Sequence, residues 1–84
     1  MKILVEYHAQ ARAAVGSGRE SIELGDGATV RQLLDRLTAL HGDAMRAMLS
    51  TSLIFVGDEQ VKKDGRVDLS DGDVVSVISP ISGG

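Results

Sequence analysis

The sequence predicts an α+β roll, a mixed sheet of about five strands packed on one main helix, and three observations carry that reading. A single long stretch, "TVRQLLDRLTALHG", has strong helical periodicity. Short stretches rich in β-forming residues lie on both sides of it, two before and three after. The helix therefore falls in a long crossover, while the strands on either side of it are close enough in sequence to pair antiparallel. The chain has 84 residues, which fits one domain.

The elements follow in order. "KILVEYH" (residues 2–8) alternates, with Ile3, Val5 and Tyr7 on one face and Leu4, Glu6 and His8 on the other. Residues 9–15 suit a helical turn, and Gly16-Ser17-Gly18 breaks it. "RESIEL" (19–24) reads as a second strand, with Glu20, Ile22 and Leu24 on one side. In the main helix Val30, Leu33, Leu34, Leu37 and Leu40 repeat at i, i+3, i+4 and i+7. Thr29 and Gln32 form a capping box, and Gly42 follows the last turn, where a left-handed residue is wanted. "DAMRAMLS" (43–50) is a shorter helical piece with Met45, Met48 and Leu49 on one face. A strand at 53–56, a Gly57-Asp58 turn, a short return around Gln60-Val61 and a last strand at 74–80 complete the order. Pro80 lacks an N–H, so it ends the ladder.

One helix covering one face of such a sheet is the β-grasp, ubiquitin-like arrangement, with the first and last strands side by side in the middle. The expected inward set is Ile3, Val5, Tyr7, Ile22, Leu24, Val30, Leu33, Leu34, Leu37, Leu53, Phe55, Val75 and Val77. The division is a β-grasp domain over 1–79 and a flexible tail over 80–84.

Composition excludes several functions. With no cysteine there is no disulfide framework, thiolate metal site or thiol nucleophile, and the cytoplasm is the expected compartment. The net charge is −3, there is no basic stripe, and Tyr7 and Phe55 are the only aromatics, so nucleic acid is not an expected partner. No apolar run approaches the roughly 18 residues of a membrane span, and residues 1–8 are too short and too soon broken by Glu6 for a signal peptide. His8 and His41 stand apart, show no ligand spacing or carboxylate pattern, and read as surface residues, so no metal is expected. Asp71-Gly72-Asp73 lacks the other ligands of a calcium loop and reads as a turn.

The stretch "YHAQARAAVG" after the first strand, "LSDGDVVSVISP" before the tail and the terminal "SGG" together resemble the ubiquitin-like sulfur carriers, and within them the small subunit of molybdopterin synthase. The resemblance runs the length of the chain. The sulfur carrier of thiamine synthesis is also similar, but lacks the stretch formed here by Ala9, Gln10 and Arg12. Ser79 precedes a single proline where the family often has two.

The resemblance implies a non-catalytic subunit with no catalytic side chains of its own and no bound cofactor. An E1-like adenylyltransferase would consume ATP to adenylate Gly84. A sulfur-donor enzyme would convert Gly84 to a thiocarboxylate, and the molybdopterin synthase large subunit would pass its sulfur to the pterin precursor of the molybdenum cofactor. The alternatives are another sulfur pathway, thiamine included, or a protein modifier conjugated through Gly84.

The tail suits such chemistry without the resemblance. A carboxylate is a poor electrophile until activated in a closed site. Gly83 and Gly84 lack a Cβ and can thread a narrow slot. Residues 80–84 reach at most about 17 Å. Pro80 stiffens the base, Ile81 supplies one apolar anchor, and Ser82 completes the arm. Because the chain has no thiol, any sulfur it carries must sit on the Gly84 carbonyl. Leu4, His8, Val74 and Ile78 should lie on the sheet face away from the helix. Ile78 and His8 are expected to dock a partner there, and Arg12 is a further candidate for the partner interface, against the alternative of a solvated charge.

Overall fold

The computed structural model describes residues 1–79. Strand β1 (Lys2–Ala9) passes through the short helix α1 (Gln10–Val15) into β2 (Arg19–Glu23). The two strands pair antiparallel, with Ile3 opposite Ile22 and Val5 opposite Glu20. Helices α2 (Val30–His41) and α3 (Asp43–Thr51) follow, then β3 (Leu53–Val56), β4 (Glu59–Val61) and β5 (Val74–Ser79). The sheet order is β2-β1-β5-β3-β4. Its central pair, β1 and β5, is parallel, and the other pairs are antiparallel. This is the expected roll, with the first and last strands adjacent at its centre.

The helix boundaries follow the capping chemistry. The Thr29 hydroxyl accepts from the Gln32 N–H, and the Gln32 side chain accepts from the Thr29 N–H at 2.8 Å. Gly42 ends α2 with φ 85° and ψ −163°, an extended left-handed conformation open to glycine rather than the αL cap expected. The difference arises because α3 begins at once. The Gly42 N–H donates to the Thr38 carbonyl, and its own carbonyl accepts from Met45 and Arg46. One residue thus closes one helix and opens the next.

The core lies between the sheet and the helices. Ile3, Val5, Tyr7, Val75 and Val77 meet Val30, Leu33 and Leu37, all essentially without solvent contact. Helix α3 adds Met45 and Leu49, α1 adds Ala11, and the loop before β5 adds Leu69. Leu24 packs at the margin, half-buried. Leu40 stands exposed, because His41 takes the position one turn beyond Leu37 that faces the sheet.

The structure also corrects the phase expected for β3. In β3 the buried residue is Ile54, opposite Val77, at 1% exposure. Leu53 and Phe55, expected in the core, lie on the other face, opposite Ile78 and Ser76. "LIFV" is apolar at every position, so it has no alternation from which to read its phase. The pairing with β5 sets the phase.

Candidate functional site

The sheet face away from the helices carries the outward side chains of β1, β5 and β3. Leu4 lies beside Val74, Glu6 beside Ser76 and His8 beside Ile78. On the other side of β5, Ile78 is opposite Leu53 and Ser76 opposite Phe55. Ile78 therefore sits between His8 and Leu53, in an apolar strip with Leu4, Val74 and Phe55. Leu53 is 39% exposed, and the rest of the apolar strip is half-buried. The strip has a modest polar border, since His8 lies 3.8 Å from Glu6 and both are solvent-accessible. The two residues expected in the core thus enlarge the face that His8 and Ile78 were expected to form. Contiguous apolar faces left open on small domains commonly mark interaction sites.

The strip leads to the C-terminal arm. Ser79, the last described residue, points inward and is buried. Pro80, Ile81, Ser82, Gly83 and Gly84, the expected arm, lie outside the described residues.

Arg12 lies apart from the strip, on α1, exposed. Its guanidinium rests over Gly18, where an added Cβ would come within 3.3 Å of Cζ. Together with Ala9, Ala13, Gly16 and Ser17 these residues line a shallow groove on the flank of β1. The remaining motifs are structural. Asp71 accepts from the Lys2 N–H at 2.7 Å, and Asp73 accepts from the Ser70 N–H at 2.8 Å. The Asp-Gly-Asp turn thereby ties the start of β1 to the entry of β5.

The structure also assembles a cluster that spacing did not disclose. The Tyr7 hydroxyl donates to Glu20 Oε2 at 2.8 Å, and His41 Nε2 lies 2.8 Å from the same oxygen. The expectation that His41 is a plain surface residue without a carboxylate partner is therefore corrected. The pair spans 21 residues of sequence and exists only because α2 ends over β2. Burial, then the hydrogen bond and charge of Glu20, push the Tyr7 pKa far above its ordinary value. Tyr7 stays protonated and serves as a donor, tying β1, β2 and α2 together.

Among the described residues no three His, Cys, Asp or Glu side chains are grouped to hold a metal ion, and no helix is long and apolar enough to cross a membrane. In a groove between α2 and α3, Arg31 pairs with Asp35 at 3.4 Å and Arg46 with Asp43 at 3.7 Å, while Lys63 Nζ donates to the Leu49 and Ser50 carbonyls. The distinctive feature is thus a surface rather than a cavity, and it borders the strand that runs into the last five residues.

A five-stranded roll with a parallel central pair and helices on one face defines a ubiquitin-like domain. The ThiS family model matches residues 5–84, and the chain belongs to that family. It is 37% identical to the molybdopterin synthase sulfur carrier subunit of Chlamydomonas reinhardtii, over all of both chains. Its structure is similar to that of a Pyrococcus furiosus protein described as molybdopterin converting factor, subunit 1. The TM-score is 0.82 at 31% identity, covering 96% of this chain and 99% of that one. The fold also matches a chain of the Helicobacter pylori complex of subunits 1 and 2 of molybdopterin-converting factor. There the TM-score is 0.64 at 21% identity, with both chains fully covered.

Proposed function

We propose that this chain is the sulfur carrier subunit of a molybdopterin synthase, working in the cytoplasm with Gly84 as its reactive end. The observation that carries the reading is its end-to-end likeness to a sulfur carrier subunit, on a ubiquitin-like domain whose central strand runs directly into Pro-Ile-Ser-Gly-Gly. Each physical step asks something different of the chain. An E1-like enzyme joins the Gly84 carboxylate to AMP from ATP and releases pyrophosphate. A sulfur donor then displaces AMP, leaving a thiocarboxylate. The arm enters the large subunit, which moves the sulfur to the pterin precursor, and water supplies the oxygen that restores the Gly84 carboxylate.

The domain serves as the handle in this cycle. Ile78, His8, Leu53 and Phe55 form the face that docks against the partner, with Arg12 at the flank. Pro80, Ile81 and Ser82 carry the glycines into its site. Successive partners use the same strip, so one small surface presents the arm to each in turn.

The experiment is deletion of Gly84, followed by intact mass and sulfur transfer with the activating enzyme, donor and large subunit. The parent chain gains the mass of one oxygen exchanged for sulfur, and the deleted chain gains nothing and transfers nothing. A deleted chain that still transfers sulfur overturns the reading. A ladder of conjugates on other proteins, without the sulfur exchange, replaces it with a protein modifier.

A further inference from the structure

We infer that β2 is the edge at which two copies of this chain pair, antiparallel about a two-fold axis at Ser21, with Arg19 of each copy facing Glu23 of the other. β2 ends the sheet order, so one side of it is bonded to β1 and the other to no strand among the described residues. The bonds that flank it fix the phase of its backbone. The Leu24 N–H donates to the Met1 carbonyl at 2.9 Å, the Met1 amino group donates to the Leu24 carbonyl at 2.7 Å, and the Tyr7 N–H donates to the Gly18 carbonyl at 3.0 Å. Antiparallel bonding alternates, so Glu20 and Ile22 also face β1, while Arg19, Ser21 and Glu23 turn their N–H and C=O groups outward. The Ser17 hydroxyl marks that direction at Arg19, where it donates to the carbonyl at 2.9 Å and accepts from the N–H at 3.4 Å. A partner strand takes the place of this hydroxyl.

The opposite edge is blunted. β4 has three residues, Glu59–Val61, and runs into Lys62 and Lys63. Short edge strands and edge lysines protect a sheet against a second strand. β2 has five residues, no proline, and Arg19, Ser21 and Glu23 exposed.

Those three side chains share the outer face and read positive, neutral, negative. An antiparallel copy centred on Ser21 reads negative, neutral, positive beside them, so both outer matches attract. A parallel copy in register sets like charge against like. The match extends beyond the joint. Within the chain, β1 places Glu6 opposite Arg19 and Lys2 opposite Glu23. One row across the pair therefore runs Glu6, Arg19, the partner's Glu23, the partner's Lys2, alternating in sign throughout. Among the described residues neither Arg19 nor Glu23 is in an ion pair, so both charges are open to a partner. On the inner face Glu20 meets the partner's Ile22, and its charge is already held by Tyr7 and His41. Backbone phase and charge order are independent, and they agree on Ser21. Because β1 separates β2 from β5, the pair leaves Ile78 open and carries two apolar strips on one face of a continuous sheet.

Sedimentation velocity and backbone amide shifts of the full chain, both over a dilution series, test this. The joint is small and belongs to the weak class of interfaces, so pairing shows at about 0.1–1 mM. The parent should pass from monomer to dimer over that range, with concentration-dependent shifts at residues 19–23 and none at 59–61. Arg19→Glu and Glu23→Arg each turn two attractive matches repulsive, and each should weaken self-association at least about tenfold. An equimolar mixture of the two variants restores both attractive matches and should associate within about threefold of the parent.

A parent that stays monomeric at about 1 mM overturns the inference. So does a dimer whose shifts fall on β4 or on Ile78 and Leu53 instead of 19–23, and so does a mixture that associates no better than its parts. Positions 19 and 23 are exposed, which favours folding of both variants; if either fails to fold, the shift map of the parent decides. None of these readouts involves Gly84, so their outcome is separate from that of the deletion.

Discussion

Replacing Tyr7 with phenylalanine tests the cluster that locks the sheet to α2. The Tyr7 ring is 1% exposed, and its hydroxyl donates to Glu20 at 2.8 Å. Tyr7→Phe keeps the ring and leaves no large cavity, so the loss is chiefly one hydrogen bond to a charged acceptor, about 1.5–3 kcal/mol. Glu20 retains His41 and reaches solvent, which places the expected loss near the middle, about 2 kcal/mol. For a domain of this size that lowers the melting temperature by about 10 °C. Thermal and urea unfolding followed by circular dichroism measure it.

The pH dependence gives a second reading with a defined sign. The folded-state pKa of Tyr7 is raised, first by burial and then by Glu20, so the folded chain keeps the phenolic proton where the unfolded chain releases it. The contribution is fully present below the ordinary tyrosine pKa of about 10 and is lost as pH rises beyond it, by about 1.4 kcal/mol per pH unit. Tyr7 is the only tyrosine, so no other phenol contributes to this limb. The stability gap between parent and Tyr7→Phe should hold constant to about pH 9 and narrow above about pH 10. A loss under about 0.5 kcal/mol, or a gap that does not narrow, refutes the argument.

The phase of β3 predicts that Ile54→Ala costs about 3 kcal/mol, while Leu53→Ala costs under about 1 kcal/mol; equal losses in urea unfolding would return Leu53 to the core. On the outer face, Ile78→Asp should change stability by no more than about 1 kcal/mol. The same change should weaken binding to the large subunit by at least about 2 kcal/mol, roughly 30-fold, read by calorimetry. Unchanged affinity would remove the strip from the docking account.

Much of the fold is legible in the residues because local chemistry repeats it. The main helix is specified by its apolar spacing and by the Thr29–Gln32 capping box, both observed where the sequence places them. The alternation in "KILVEYH" assigns the faces of β1, and Ile3, Val5 and Tyr7 are buried accordingly. Where that signal is missing, as in "LIFV", the residues do not reveal the phase of the strand, and with it half of the apolar strip stays hidden. The Glu20–His41 pair carries no local mark, because two residues 21 apart have no spacing to recognise.

The sequence by itself determined the order of elements, the helix ends and the two glycines at the terminus, since each depends on neighbours within a few residues. Only the tertiary structure decided which side of β3 faces water and that His41 meets Glu20 and Tyr7. The physical reason is range. Periodicity and capping act within one or two turns of chain, whereas register, buried hydrogen bonds and ladder ends are set by segments that meet only once the sheet has closed on its helices.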